Sequence, residues 1–354
     1  MTASTSQNTD SNTRSNLRHN PADSLRVFGM TMQQFRLGTI IVAVLIALLA
    51  PFAVEDFSVF QLTQVIYLSI AVLGLNLLTG FNGQFSLGHS AFMALGAYTA
   101  GIMMAQWEIA YYWTIVPAGL VCFVAGFLFG LPALRLEGLY LALATFALAV
   151  AAPQLLKYEH FEHYTGGVQG LDLFKDDSPI AFLSNDQWWY YFSLFFGFLL
   201  MIAAWNLVRG RTGRAMIAIR DNPIAATTMG INTSVYKATT FGVSGLYCGV
   251  AGALSAIVVE FIAPESFTFI HAILLLIAMV IGGLASIPAA IIGGAFILYV
   301  PTFSEAVVDT FFGGDPSSKA LVWVSFGVVM VIVVSIMPMG FAGFIRWNLR
   351  KLAR

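Results

Sequence analysis

A series of apolar runs, each about as long as a bilayer is thick, constrains this chain more than any other feature. A helix needs about 20 predominantly apolar residues to cross the hydrocarbon core of a membrane. Ten candidate runs occur, namely Leu37–Val54, Ser58–Thr79, Phe85–Ala105, Tyr111–Leu131, Gly138–Leu156, Trp189–Val208, Ala238–Val259, Phe267–Ile281, Pro288–Pro301 and Ala320–Met337. We therefore predict an all-α polytopic membrane helix bundle with about ten transmembrane helices.

Composition supports a membrane protein and excludes several functional classes. The chain is 58% hydrophobic and only 10% charged, whereas soluble domains carry about 25% charged residues. A net charge of −1 provides no basic field that would attract nucleic acid. The ten runs contain no Asp, Glu, Lys or Arg. Because ion and proton paths usually need such residues inside the membrane, this argues against a proton-coupled carrier and more weakly against sodium coupling.

The positions of the basic residues predict an orientation. If both termini are cytoplasmic and the chain crosses ten times, all 17 Lys and Arg residues fall inside except Lys157, Lys175 and Lys319. Cytoplasmic loops carry such an excess of positive charge in membrane proteins. The runs Phe267–Ile281 and Pro288–Pro301 are short, and they are either two short helices or a broken, partly re-entrant pair. Two crossings there, or none, keep the C-terminal basic cluster inside, and we prefer two. We therefore predict that both termini are cytoplasmic.

Long polar segments flank and interrupt the predicted membrane region. Residues 1–36 are rich in Ser, Thr and Asn, which predicts a disordered cytoplasmic tail. Residues 37–340 form the predicted transmembrane domain, with an external loop at 157–188 and a cytoplasmic loop at 209–237. The external loop is either a solvated connection or a docking surface for a soluble protein. Residues 341–354 form a predicted basic cytoplasmic tail.

A glycine-punctuated polar segment separates the second and third runs. Gly80 and Gly83 interrupt a helix at low steric cost. Non-helical backbone at membrane depth must face protein or a water-filled cavity. The segment is therefore either the lining of a translocation path or a tight loop in which His89 is a hydrogen-bonded interior histidine. The candidate path residues are Asn76, Asn82, Gln84, Ser86 and His89.

The loop 209–237 contains the start and stop signals of a short helix. Asn222 is a favourable N-cap, Pro223 suits the first helical position, and Gly230 suits the position after the C-cap. These signals predict a helix over Pro223–Met229, about 10 Å long. Such a helix either transmits movement from a soluble partner or lies on the membrane surface, where neighbouring arginines bind lipid phosphates.

Three sequence motifs together resemble permease subunits of branched-chain amino acid ABC importers of the LIV type. Leu75–Gly101 contains the run LNLLTGFNGQFSLGHSAFMALGAY, Arg135–Thr145 reads RLEGLYLALAT, and Thr165–Leu171 reads TGGVQGL. The polar N-terminal tail is not part of this pattern. The resemblance implies a permease subunit in the inner membrane that forms a path for branched-chain or other neutral amino acids.

The resemblance also implies a coupling loop and a set of partners. The run AIRDNPIAATTMGI is similar to the loop through which importer permeases contact their ATPases, with Ile224 in place of the usual Glu. The implied docking residues are Asp221, Asn222, Pro223, Ala225, Ala226 and Gly230. The implied partners are a second permease chain, two cytoplasmic ATP-binding subunits, a periplasmic substrate-binding protein and a small neutral or zwitterionic substrate.

The sequence lacks the motifs of an enzyme that acts alone. It has no G-x-x-x-x-G-K-[ST] phosphate-binding loop, so ATP and Mg are expected in partner subunits and no cofactor in this chain. It also shows no acid–base pair, nucleophile–histidine arrangement or metal cluster that would support catalysis. The remaining alternatives are a urea or amide importer permease and a stand-alone secondary amino-acid transporter.

Overall fold

The computed structural model describes residues 26–27, 30–136, 138–174, 178–180, 182–312, 319–337 and 340–344. The described residues divide into two units, one ending at Val54 and the other spanning Glu55–Phe344. In the first unit, β1 (Arg26–Val27) pairs antiparallel with β2 (Met30–Thr31), and helix α1 (Met32–Ala53) follows. Most of the predicted N-terminal tail and residues 345–354 of the C-terminal tail lie outside the described residues.

The second unit is built almost entirely from helices. Its helices are α2 (Asp56–Leu75, continuing as a π-helix over Asn76–Phe81), α3 (His89–Ala105), α4 (Tyr111–Ala133), α5 (Leu139–Leu156), α6 (Glu159–Thr165), α7 (Asn185–Arg209), α8 (Arg211–Asp221), α9 (Pro223–Thr228), α10 (Thr233–Val259), α11 (Phe269–Gly282), α12 (Ala289–Phe312) and α13 (Lys319–Ile336). A 3₁₀ turn at Pro264–Phe267 precedes α11. Strands β3 (Leu171–Asp172) and β4 (Phe261–Ile262) pair antiparallel.

These helices confirm the predicted fold class. Within the described part of the chain, six helices are long and apolar enough to cross a membrane, and three shorter apolar helices accompany them. Each predicted run overlaps a helix. The short pair Phe267–Ile281 and Pro288–Pro301 corresponds to two helices, α11 and α12, and α12 continues past Pro301 to Phe312. The predicted end was too early because Pro is tolerated inside membrane helices, where neighbouring groups satisfy the freed backbone carbonyl.

Helices α2 and α10 form the centre of the second unit. In each, 83% of an apolar stretch of 18 residues is buried, compared with 22% of the corresponding stretch in α5 and 17% in α7. Helix α10 packs against α2, α3 and α4. Apolar lipid tails compete equally with apolar side chains, so helices associate in membranes through close packing of small residues. The exposed sides of α5 and α7 are available to lipid or to another chain.

Glycines allow the backbone of α10 to touch its neighbours. A Cβ added to Gly96 on α3 would lie 2.5 Å from the Cα of Gly249, and one added to Gly245 would lie 2.5 Å from the carbonyl oxygen of Cys122 on α4. A Cβ on Gly252 would overlap the carbonyl of Met93 on α3. These positions therefore require glycine for reasons of space, since any side chain would push the helices apart.

This packing predicts that Gly252→Ala destabilises the protein by about 1–3 kcal/mol, because the added methyl overpacks a backbone contact. Gly327→Ala is the matched control: nothing lies within 4 Å of its added Cβ. The control should be neutral or stabilising by up to about 1 kcal/mol, since Ala is the better helix former. Thermal unfolding of the purified protein in detergent measures both. Equal unfolding temperatures for the two variants would contradict the close α3–α10 contact.

Candidate translocation and coupling site

The polar segment begins inside a helix. Helix α2 does not stop at Gly80 as expected but continues as a π-helix to Phe81. Gly80 is needed there for another reason: a Cβ would overlap the side-chain oxygen of Asn76. The turn comes at Gly83, whose φ of 75° is left-handed and suits glycine. Thr79 closes the turn by donating from Oγ1 to the Gln84 carbonyl at 2.9 Å.

Asn76 uses its whole amide to hold a distant loop. Its Nδ2 donates to the carbonyl of Ser286 at 3.0 Å and to that of Gly283 at 3.3 Å, and its Oδ1 accepts from the backbone N–H of Ala285 at 2.9 Å. This loop joins α11 to α12, and Ala285 adopts a φ of 53°, which is unfavourable for a residue with a side chain. Asn76 is therefore an anchor between α2 and the α11–α12 connection.

His89 is the centre of a buried hydrogen-bond chain. Its Nδ1 lies 3.0 Å from Ser86 Oγ and its Nε2 lies 2.6 Å from Ser244 Oγ, which donates to the carbonyl of Gly74 at 2.6 Å. Because the Ser244 hydroxyl hydrogen is used on Gly74, the pattern assigns the imidazole hydrogen to Nε2 and makes Nδ1 the acceptor from Ser86. The chain joins α2, α3 and α10, as expected of the interior histidine.

Asn82 and Gln84 occupy a different environment from the other candidate path residues. Both are buried, and Asn82 Nδ2 donates to Gln84 Oε1 at 2.7 Å. Asn82 Oδ1 has no hydrogen-bond partner among the described residues. Both residues line a cavity of about 200 Å³ that is also lined by Leu141 of α5, Arg220 of α8 and Lys237 of α10. The structure thus brings Asn82 and Gln84 next to the loop 209–237.

Helix α8 lies in that loop, in a stretch for which the sequence analysis predicted no helix. Gly213, Ala215, Met216 and Ile219 are buried, and Arg211 and Arg214 are exposed. This spacing of buried residues, three and four apart, is the signal of an amphipathic helix. Near its end, Arg220 Nη1 donates to the Gly80 carbonyl at 2.9 Å. Arg220 is therefore a contact between the loop and the polar segment that sequence reasoning missed.

Helix α9 forms as its capping signals predict and ends one residue earlier than expected. Asn222 Oδ1 accepts from the backbone N–H of Ala225 at 3.0 Å, and Pro223 occupies the first position. Beyond the C-cap, Gly230 has a φ of 82° and donates from its backbone N–H to the Thr227 carbonyl at 3.0 Å. Helix α9 is therefore fixed at both ends by local hydrogen bonds.

The exposed surface of α9 differs from the predicted docking set. Ala226 is only 3% exposed and faces the protein, so it supports the helix instead of presenting a surface. Asp221, Asn222, Pro223, Ala225 and Gly230 are exposed. The largest exposed apolar side chains beside them are Ile224 at 79% and Met229 at 84%. Any partner that contacts α9 would therefore meet an apolar pair.

The family model and the individual relatives that this chain matches all point to the same family. Residues 58–334 match the family described as "Branched-chain amino acid transport system / permease component". The chain is 34% identical over 280 residues to the permease protein LivM of Salmonella typhimurium, covering 72% of this chain and 65% of that protein. It is also 34% identical over 288 residues to LivM of Escherichia coli, covering 73% and 66%.

A shorter similarity extends to a second permease type. The chain is 33% identical over 147 residues to LivH of Escherichia coli, covering 41% of this chain and 44% of that protein. The chain spans slightly less than two thirds of the LivM proteins, at 65% and 66% of their lengths. No solved structure matches it. Because the family match extends over well over half of its residues, the chain belongs to the family of permease components of branched-chain amino acid transport systems.

Proposed function

We propose that this protein is a membrane-spanning subunit of an ATP-binding-cassette importer and forms part of the translocation path for branched-chain or other neutral amino acids. The observation that carries the proposal is the position of α9. This capped helix projects an exposed surface at one end of a membrane bundle and is joined through α8 to the polar segment that lines a cavity. That arrangement suits a subunit that is moved by a soluble partner.

The proposed orientation places α9 in the cytoplasm of a cell with the protein in its inner membrane. Arg209, Arg211, Arg214, Arg220 and Lys237 all lie on or beside α8 and α9. Positive charge of this density is retained on the cytoplasmic side of membrane proteins. In this orientation both termini are cytoplasmic, and the loop 157–188 faces a substrate-binding protein on the outside.

The energy source is proposed to lie in other chains. The sequence has no phosphate-binding loop, so two cytoplasmic ATP-binding subunits would bind ATP and Mg, and a second permease chain would complete the path. Binding of α9 by such a subunit would use its apolar side chains. Protein–protein contact surfaces commonly contain exposed apolar side chains. The pair Ile224 and Met229 is the proposed centre of this contact.

The substrate is proposed to be neutral or zwitterionic. The predicted membrane runs contain no acidic or basic side chain that would attract an ion of one sign. Of the candidate path residues, Asn76, Ser86 and His89 use their polar atoms within the protein, whereas Asn82 and Gln84 line the cavity. We therefore assign Asn82 and Gln84 to contact with the passing substrate and the other three to holding the path in shape.

The function is tested by uptake of labelled leucine into proteoliposomes. The complete complex, with its ATP-binding subunits and binding protein, should accumulate leucine only when ATP is present on the side of α9. The purified chain alone should not transport, because nothing would move α9. Ion-driven uptake by the chain alone would instead show a secondary transporter, and uptake of urea or a short amide in preference to amino acids would change the substrate class.

Substituting the exposed apolar pair tests the docking surface. The double variant Ile224→Asp and Met229→Asp should insert into the membrane normally but lose association with the ATP-binding subunits by about tenfold or more, equal to about 1.4 kcal/mol. Co-purification from detergent measures this. Val168→Asp, which changes an apolar residue that is 66% exposed in the predicted external loop, is the control and should keep the association. Undiminished co-purification of the double variant would place α9 on the membrane surface instead.

The two classes of polar residue should respond differently to substitution. His89→Ala removes the acceptor of the Ser86 hydroxyl and one of the two hydrogen bonds of Ser244. A buried polar group left unsatisfied costs about 1–3 kcal/mol, so the unfolding temperature should fall. Asn82→Leu removes one side-chain hydrogen bond and should affect leucine uptake more than stability. His160→Ala, at an exposed histidine of α6, is the control for both measurements. Normal uptake with Asn82→Leu would remove this residue from the path.

A further inference from the structure

The carbonyl that Arg220 contacts belongs to the end of a helix. The last carbonyls of any helix lack partners in the helix itself. Here the carbonyl of Leu78 accepts from the N–H of Gln84 at 3.2 Å and that of Thr79 accepts from the N–H of Gly83 at 3.2 Å. The Gly80 carbonyl instead accepts from the guanidinium of Arg220. A cation at this position is favourable because a helix carries partial negative charge at its C-terminus.

The contact depends on close backbone approach at Gly83. A Cβ added there would lie 2.8 Å from Arg220 Cγ and 3.3 Å from Arg220 Cα. Any larger residue would therefore push α8 away from the end of α2. The left-handed φ of Gly83 and the absence of its side chain serve the same contact, because both bring the turn against Arg220.

On its other side, the same guanidinium is tied to the start of α9. Arg220 Nε and Nη2 donate to Asp221 Oδ1 at 3.0 and 2.9 Å. Asp221 directly precedes Asn222, the N-cap of α9. A continuous set of contacts therefore runs from α9 through Arg220 to Gly80. It continues along the π-helix to Asn76 and the connection between α11 and α12.

The π-helix over Asn76–Phe81 and the turn that follows it have features of a segment that changes conformation. π-Helical turns are rare and frequently occur at functional sites. The buried Asn82 Oδ1 is unpaired among the described residues, although buried polar groups are normally satisfied. The cavity of about 200 Å³ beside Arg220 gives the turn room to move.

We propose that Arg220 is the positioning residue that transmits movement of α9 to the π-helical end of α2 and, through Asn76, to the α11–α12 connection. This inference rests on the proposed function. Arg220 holds the end of α2 against the start of α9 through its bonds to Gly80 and Asp221, so its role is to couple ATP hydrolysis to transport. Its loss should uncouple the two activities without preventing assembly.

The test compares Arg220→Gln and Arg220→Lys in the complete complex in proteoliposomes, with leucine uptake and ATP hydrolysis measured together. Arg220→Gln should assemble and hydrolyse ATP, but leucine transported per ATP should fall about tenfold, within the usual range of coupling between sites. Arg220→Lys should restore part of the ratio, because an ammonium can reach one acceptor but cannot hold both in a fixed fork. Arg214→Gln, an exposed arginine on the same helix, is the matched control and should retain the ratio.

Gly83→Ala provides a second variant that leaves Arg220 in the chain but displaces it from Gly80. It should lower the transport ratio in the same way as Arg220→Gln. An unchanged ratio in both variants would overturn the proposed role of Arg220 while leaving the importer function intact. Absence of ATP-driven leucine uptake in the wild-type complex would overturn the function and this inference together.

Discussion

The second unit depends on satisfying backbone groups where a helix is interrupted inside a membrane protein. The end of a helix leaves carbonyls without partners, and where these are buried from water they must find hydrogen-bond donors in the protein. At the end of α2, a backbone turn satisfies two carbonyls and Arg220 satisfies the next. Between α11 and α12, the amide of Asn76 does the same. The two interruptions are therefore held by each other and by α8, which places three distant segments in one structure.

The sequence alone predicts those elements whose formation depends on residues close together in the chain. Apolar run length predicts the membrane helices, and Asn222, Pro223 and Gly230 predict α9 to within one residue because caps act on adjacent backbone. The family resemblance could also be read from the sequence, because it is carried by three short motifs of contiguous residues. The hydrogen-bonded environment of His89 was one of two alternatives that the residues alone left open, and the structure gives its partners.

The features that the sequence did not predict depend on residues far apart in the chain. Asn76 meets a loop more than 200 positions away, and Arg220 meets a carbonyl 140 positions away. Composition contains no signal for either contact. The burial of Ala226 could not be predicted for a similar reason, because it depends on how the loop folds back onto the protein. The amphipathic spacing of α8 is visible in the sequence, but the helix lies in a strongly basic stretch that was predicted to be a loop.

The glycine contacts of α10 have a mechanical consequence. Where two helices touch through backbone atoms, no flexible side chain lies between them to absorb a small displacement. Helices α3, α4 and α10 are therefore expected to move together as one rigid body. Deformation would be confined to the connections around that rigid body, and the hinge of any transport cycle would lie outside the most tightly packed part of the protein.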